Sequence, residues 1–311
     1  MLSKTSGSAL LSALFLMTLI AIAATAMSTR LQMDIYRTRL VIQSDELSLA
    51  SQAVGFWAMS NLLHPRKKQS AIDNEGKLLD FPLKLKKIYP GVVIQGSLYD
   101  LQARFNINNL QNKSFTLTFF NLLKQRNSKV EDKILRSIVK ATENWVSPYQ
   151  MGRGHDELMA YYTHQAPPYL PGYQPMQNIS EFRMVAGVTP AIYQAVLPLL
   201  TALPTVTGVN LNTVSKPVLS ILGNGFSDEQ MNAILEFRLE KGEFDQQDLI
   251  TIINKYNFPP EQVTLESEYF LSVATVSTSD LLLKKYTVFH RTKDRKNGYA
   301  VSILSETLNG A

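Results

Sequence analysis

Catalysis in this chain would have to start from four histidines, one Ser-x-x-Lys pair or a few clustered carboxylates. His64, His155, His164 and His290 are scattered, with no His-x-x-x-His zinc pair and no carboxylate at fixed spacing. Ser137-Ile138-Val139-Lys140 has the spacing for a lysine-activated serine, but it falls in a charged helical stretch where an exposed face accounts for both residues. Asp156 and Glu157 in "GHDELMAYY", and Asp245 and Asp248 near Glu243, could offer oxygen ligands to a hard cation. No EF-hand spacing accompanies them, and solvated acids are the simpler reading. No Gly-rich phosphate loop and no Gly-x-Ser-x-Gly elbow occurs. Zero cysteines exclude disulfides, thiolate metal sites and cysteine nucleophiles, and leave the compartment open.

A second chemistry is phosphate binding. The stretch "NLNTVSKPVLSILGNGFSDEQMNAILEFRLEKGEFDQQDL", Asn210 to Leu249, has the form of a helix-hairpin-helix unit with Gly223 and Gly225 at the hairpin. In DNA-binding units of this class hairpin amides hold a phosphate and nearby Lys or Arg neutralise it. Here Asn224 and Phe226 occupy the hairpin and Asp228-Glu229 follow, so the local field opposes phosphate and a structural use is favoured. The net charge of +5 is spread over Arg66-Lys67-Lys68, Lys84 to Lys87 and Arg291 to Lys296, which is a solvated surface and not a nucleic-acid stripe.

The elements that would carry these residues begin with a span. From Thr5 to Thr29 the chain has no charge, and as a helix this length crosses about 30 Å of hydrocarbon. A cleaved secretory signal has a shorter apolar run and no continuing pattern. Here Tyr36, Leu40, Leu47, Ala50, Val54 and Trp57 continue at helical spacing among charged residues, and no proline intervenes before Pro65. One helix is expected from about Ser8 to Leu63. Lys4 precedes the span and Arg30, Arg37 and Arg39 follow it, so charge alone would leave the body cytoplasmic.

Beyond a polar loop, "YPGVVIQGSLYDLQARFNI" alternates on either side of Gly96 and predicts a two-stranded hairpin. From about Asn106 to Glu266 the periodicity is helical, with Ser180, Thr189 and Ser227 placed as N-caps. Phe105 to Leu110 and Val209 to Thr213 echo each other, each leading from extended chain into helix. Strand patterning returns in "YFLSVATVS", "KKYTVFHRTK" and "GYAVSILSET", with Asn297-Gly298 as a hairpin turn. The fold class expected is α+β, a small domain of helix and strands with a large all-α domain inserted.

The chain resembles the K-type minor pseudopilins of the bacterial type II secretion system, general secretion pathway protein K, over nearly its whole length. The resemblance is carried by Gly7 ahead of "SALLSALFLMTLIAIAATAMSTRLQ", by "RFNINNL", "PPYLPGYQPMQNISEFRMVAGVTPAIY" and "LPTVTGVNLNT", and by "FLSVATV". It implies a prepilin leader, 1–7, cut by a prepilin peptidase between Gly7 and Ser8 with N-methylation of the new end. It further implies a transmembrane and stalk helix over 8–64, a pilin-like α+β domain in two parts, 65–104 and 266–311, with that long N-terminal helix packed on a small antiparallel sheet, and the inserted helical domain over 105–265, built of helix-hairpin-helix (SAM-like) units. The body would be periplasmic, against the charge count. The fifth mature residue, usually Glu in pseudopilins, is Ser12, which together with the insertion implies a place at the pseudopilus tip. Partner helices would be those of I- and J-type minor pseudopilins, packed through Leu40, Leu47, Val54 and Trp57, with an H-type subunit in the complex and the major pseudopilin below. Such a complex would start pseudopilus assembly and support export of folded proteins across the outer membrane. Family members can bind calcium in the helical domain, and Asp156 and Glu157 match part of that pattern, although "NWVSPYQ" lacks the Asp residues usual after the Trp. The resemblance implies no enzyme and no nucleic acid. A membrane-anchored DNA-uptake receptor is the rival reading.

Overall fold

A computed structural model describes residues 6–64, 76–151, 155–223, 225–257, 259–294 and 298–309. Helix α1 (Ser6–Leu63) is unbroken for 58 residues, a length of about 87 Å at the usual helical rise. Its first half is exposed on every side. Its second half turns Leu47, Ala50, Val54, Ala58 and Leu62 inward at spacings of three and four, and these are all buried.

They bury against a five-stranded antiparallel sheet. Strands β1 (Lys77–Asp80) and β2 (Val93–Asp100) come directly after α1 in the chain. Strands β7 (Tyr269–Ser277), β8 (Leu282–Asp294) and β9 (Gly298–Leu308) arrive only after the helical region, and the order across the sheet is β1-β2-β7-β8-β9. The predicted hairpin at Gly96 is one continuous strand: Gly96 sits inside β2, paired with Ala274. The glycine answers to α1, because a Cβ there would fall 2.5 Å from Val54 Cγ1. It marks close approach of helix and sheet rather than a turn. Along the same face Ile94 and Leu98 of β2, Phe270, Ala274 and Val276 of β7 and Phe289 of β8 complete two clusters. Trp57 meets Phe81 edge-on, with centroids 5.5 Å apart. At the far hairpin Gly298 takes φ +90°, as a tight turn demands, while Asn297 lies outside the described residues.

Between β2 and β7 the chain forms two helical units, each closed by a two-residue parallel bridge. In the first, β3 (Phe105–Asn106) pairs with β4 (Leu200–Thr201) around α2 (Thr116–Arg126), α3 (Asp132–Val146), α4 (His155–Thr163) and α5 (Pro190–Val196). In the second, β5 (Val209–Asn210) pairs with β6 (Val263–Thr264) around α6 (Lys216–Leu219), α7 (Asp228–Lys241) and α8 (Gln246–Tyr256). Both units share one apolar core that includes Phe105, Phe119, Trp145, Phe182, Leu211, Leu222 and Ile252. Thr189 and Ser227 cap α5 and α7 as expected. Ser180 does not cap: Asn178, two residues earlier, accepts from its amide and forms a capping box with Glu181 over a short 3-10 turn.

The orientation of the helical units follows from the order of clusters along α1. Leu47 to Val54 meets Ile94, and Ala58 and Leu62 meet Leu98, so β2 runs away from the apolar end and delivers Asp100 beyond the last turn of α1. Both units therefore sit at the end of the sheet remote from the apolar half of the helix.

Candidate functional site

The residues with chemical potential stay apart. Ser137 donates to the Ile134 carbonyl at 2.7 Å on an exposed helix face, and Lys140 is exposed beside it. His164 lies 2.6 Å from the Ala160 carbonyl, while His290 stacks on Tyr269 with Glu268 4.0 Å away. His64 is exposed at the end of α1, and the side chain of His155 lies outside the described residues. Among the described residues no group of three or more His, Cys, Asp or Glu is placed to hold a metal. Asp156 and Glu157 occupy the exposed first turn of α4, where Asp156 accepts from Tyr149 and this bond raises the pKa of the phenol. Two exposed carboxylates, one already engaged, fall short of the six to eight oxygens calcium takes. Among the described residues these two carboxylates do not by themselves make up a calcium site.

At the hairpin between α6 and α7 the amides of Gly223, Gly225 and Phe226 are spent internally. Gly223 N donates to Gln262 Oε1 at 2.8 Å, and Gln262 in turn donates to the Ser114 carbonyl. Gly225 N and Phe226 N donate to Leu222 and Ser220 carbonyls. The nearest cations are committed as well: Lys216 lies 3.4 Å from Asp228, and Arg238 donates to the Leu211 and Val214 carbonyls. Burial lowers the pKa of that guanidinium, the cost of holding a charge inside. Phosphate would find none of these donors unoccupied.

What the tertiary structure does assemble is a buried polar junction where β2 meets the helical units. Asp100 Oδ1 accepts from Gln102 N at 2.8 Å, and Oδ2 accepts from Thr213 Oγ1 at 2.6 Å, Ser267 Oγ at 2.7 Å and Asn210 Nδ2 at 3.1 Å. Desolvation raises the carboxyl's pKa despite these four bonds. Gln102 bridges the Gly208 carbonyl and Glu268 N. Arg291 donates to the Ser267 carbonyl and lies between the rings of Phe270 and Tyr299, 4.6 Å from each centroid. The sequence reading noted the echo at Asn106 and Asn210 and missed Asp100. The available signal was spacing: Asp100-Leu101-Gln102, Asn106-Ile107-Asn108 and Asn210-Leu211-Asn212 each bond the first side chain to the amide two residues on.

The second surface of interest is α1. Leu47 and Val54, expected to meet partner helices, are buried on the chain's own sheet, and Trp57 is half-buried against Phe81. Leu40 is half-buried on the same side. At Leu47 and Val54 that face is therefore occupied by the chain's own sheet.

With this geometry in place, similarity to known proteins is informative. The family model for type II secretion system protein K matches residues 103–205, the first helical unit. Type II secretion system protein K of Aeromonas hydrophila is 26% identical over 94% of this chain and 95% of its own length. That of Klebsiella pneumoniae is also 26% identical, over 72% of this chain and 71% of its own. The chain is thus similar to protein K over most of its length. The GspK-GspI-GspJ complex from enterotoxigenic Escherichia coli shares the fold, with TM-score 0.64 at 20% identity over 88% of this chain and 100% of the matched one.

Helix α1 contains the one segment among the described residues long and apolar enough to cross a membrane. Gly7 and Ser8 lie in the first turn of α1, and residues 1–5 of the expected leader are outside the described residues. Ser12 donates its hydroxyl to the Ser8 carbonyl at 3.0 Å, so its polar group is satisfied within its own helix.

Proposed function

We propose that this chain is the tip subunit of the type II secretion pseudopilus. It is made with a leader that the prepilin peptidase removes after Gly7, and is held in the inner membrane by the apolar half of α1 with its body in the periplasm. With I- and J-type minor pseudopilins, and an H-type subunit, it forms a complex that starts assembly and stands above the major pseudopilin, supporting export of folded proteins. Its role is assembly and not catalysis.

The observation that carries this reading is the seating of both helical units at the end of the sheet remote from the apolar half of α1. A subunit stacked above would need the space they fill. Ser12 supports the same position, since it presents no carboxylate that a neighbour's terminal amine would have to neutralise. The solved protein K relative was captured with I and J partners. The test is immunogold labelling of pseudopili with an antibody to the helical units. Label at one end of each fibre is expected, and label along the fibre would overturn the tip assignment.

A further inference from the structure

The helix α1 carries two apolar stripes with the same seven-residue spacing. Leu40, Leu47 and Val54 form the one that turns toward the sheet, which covers Leu47 and Val54 and leaves Leu40 half-buried. Ile35, Ile42, Leu49 and Phe56 form the other, and they are 59%, 55%, 51% and 67% exposed. At about 100° per residue Ile42 lies about 200° round the helix from Leu40, so the second stripe faces directly away from the sheet. Extended toward the N-terminus in the same steps of seven, it passes through Ser28 and Ala21 into the apolar half, which is exposed on every side. The outward stripe and the span are therefore one continuous line.

A seven-residue apolar repeat fits a helix better than a strand or a flat surface, because only a second helix matches its period over several turns. The residues between the apolar ones say which helix. With Ile35, Ile42, Leu49 and Phe56 at the first core position of each heptad, the second core positions are Thr38, Asp45 and Gln52. Asp45 is exposed, and no ion pair or hydrogen bond to it is formed among the described residues. Asp34 and Glu46 flank the seam; Asp34 is paired with Arg37 at 3.8 Å, and Arg39 reaches Asp280 at 3.6 Å, so neither arginine is committed to Asp45. In a parallel pair of identical chains each Asp45 would face its own copy across the seam, a desolvated like-charge contact that disfavours pairing.

We infer that the outward stripe of α1 from Ile35 to Phe56 is a docking seam for one helix of a different membrane-anchored chain that places a Lys or Arg opposite Asp45, and that the same aspartate rejects a second copy of this chain. The inference rests on the assembly reading above and adds the face, the charge and the exclusion of self.

The chain's lack of cysteine makes the seam directly testable. Full-length protein with a single cysteine at Ile42→Cys, Leu49→Cys or, as the exposed off-seam control, Ser48→Cys is co-expressed with I- and J-type pseudopilins scanned by single cysteines in their helices. Cross-linking from Ile42→Cys and Leu49→Cys to one partner helix is expected at about tenfold the level from Ser48→Cys. Asp45→Lys should reduce it by about tenfold, and a Lys or Arg to Glu change in the partner should restore it. Asp45→Leu should permit self-cross-linking through Ile42→Cys, which the Asp45 background does not show. Equal yield from Ser48→Cys, no effect of Asp45→Lys, or self-cross-linking with Asp45 in place would each overturn the seam while leaving assembly intact. Failure of the unsubstituted chain to co-purify with either partner would instead overturn the assembly reading, and the seam with it.

Discussion

The unit closed by β3 and β4 begins at Asn106 and the unit closed by β5 and β6 begins at Asn210, and in each the Asn side chain accepts from the amide two residues on. Both place this Asn beside a Thr across the bridge, Thr201 in one and Thr264 in the other. From there the two diverge. Asn106 turns back to Leu203, Thr205 and Thr207, all at the end of the first unit or in the linker after it. Asn210 instead donates to Asp100 and Ser267, which border the sheet. The first unit is thus closed largely upon itself, whereas the second is fastened to the sheet through one buried carboxylate. A shared local motif can serve internal closure or attachment, depending on what the surrounding chain offers it.

The sharpest way to break this contrast is Asp100→Ala, which removes the acceptor of four donors in a fully buried site. A loss of about 3–5 kcal/mol is expected, and hydrogen exchange should show the second unit losing protection before the first. Equal loss in both units would mean that Asp100 does not distinguish them.

Next in size are the paired substitutions Asn108→Ala and Asn212→Ala. Asn108 holds Met176 N, the Met176 carbonyl and the Leu203 carbonyl, so its loss should cost about 2–4 kcal/mol and open the first unit. Asn212 holds Phe244 N and the Leu265 carbonyl, so its loss should cost about 1–3 kcal/mol and open the second. Chemical denaturation gives the order, and exchange gives the location.

The smallest effect is acid sensitivity confined to the second unit. The hydrogen bond from Lys241 to Asp245 lowers this carboxyl from 3.8 to about 2. A depressed folded pKa means a contribution present above the unfolded value and lost as pH falls through the folded one, so α8 should loosen between about pH 4 and 2. Exposure screens the pair and keeps the effect slight. Asp245→Asn, followed by circular dichroism across that range, should flatten the dependence. Asp100 has the opposite sign. Its raised pKa makes ionisation costly, so its contribution weakens as pH rises from 3.8 through the folded value.

Much of this anatomy was legible because it depends on neighbours in the chain. The uninterrupted apolar run and the absence of proline before Pro65 were enough to read α1 to within two residues at its start and to the residue at its end. The caps at Thr189 and Ser227 were read from the same kind of local signal, and so was the return of strands after Glu266. Gly96 was misread because a glycine between two alternating runs has the same local signature whether the chain turns there or another element presses against it. Its cause is Val54, on α1. Asp100 went unread because three of its partners lie 110, 113 and 167 residues away, and no short window contains them.

The helix α1 divides the two kinds of information most clearly. Composition and period determined that it is a single helix, that its first half can cross a membrane and that its second half carries apolar stripes. They could not determine which stripe is inside, since Leu40, Leu47 and Val54 and Ile35, Ile42 and Leu49 have the same seven-residue spacing. That choice belongs to the sheet, where Gly96 and Ala274 leave room for Val54 to enter. Periodicity is a property of one element, but burial is a property of two surfaces that fit, and the second surface exists only once β2 and β7, paired at Gly96 and Ala274 from either side of the helical units, have come together.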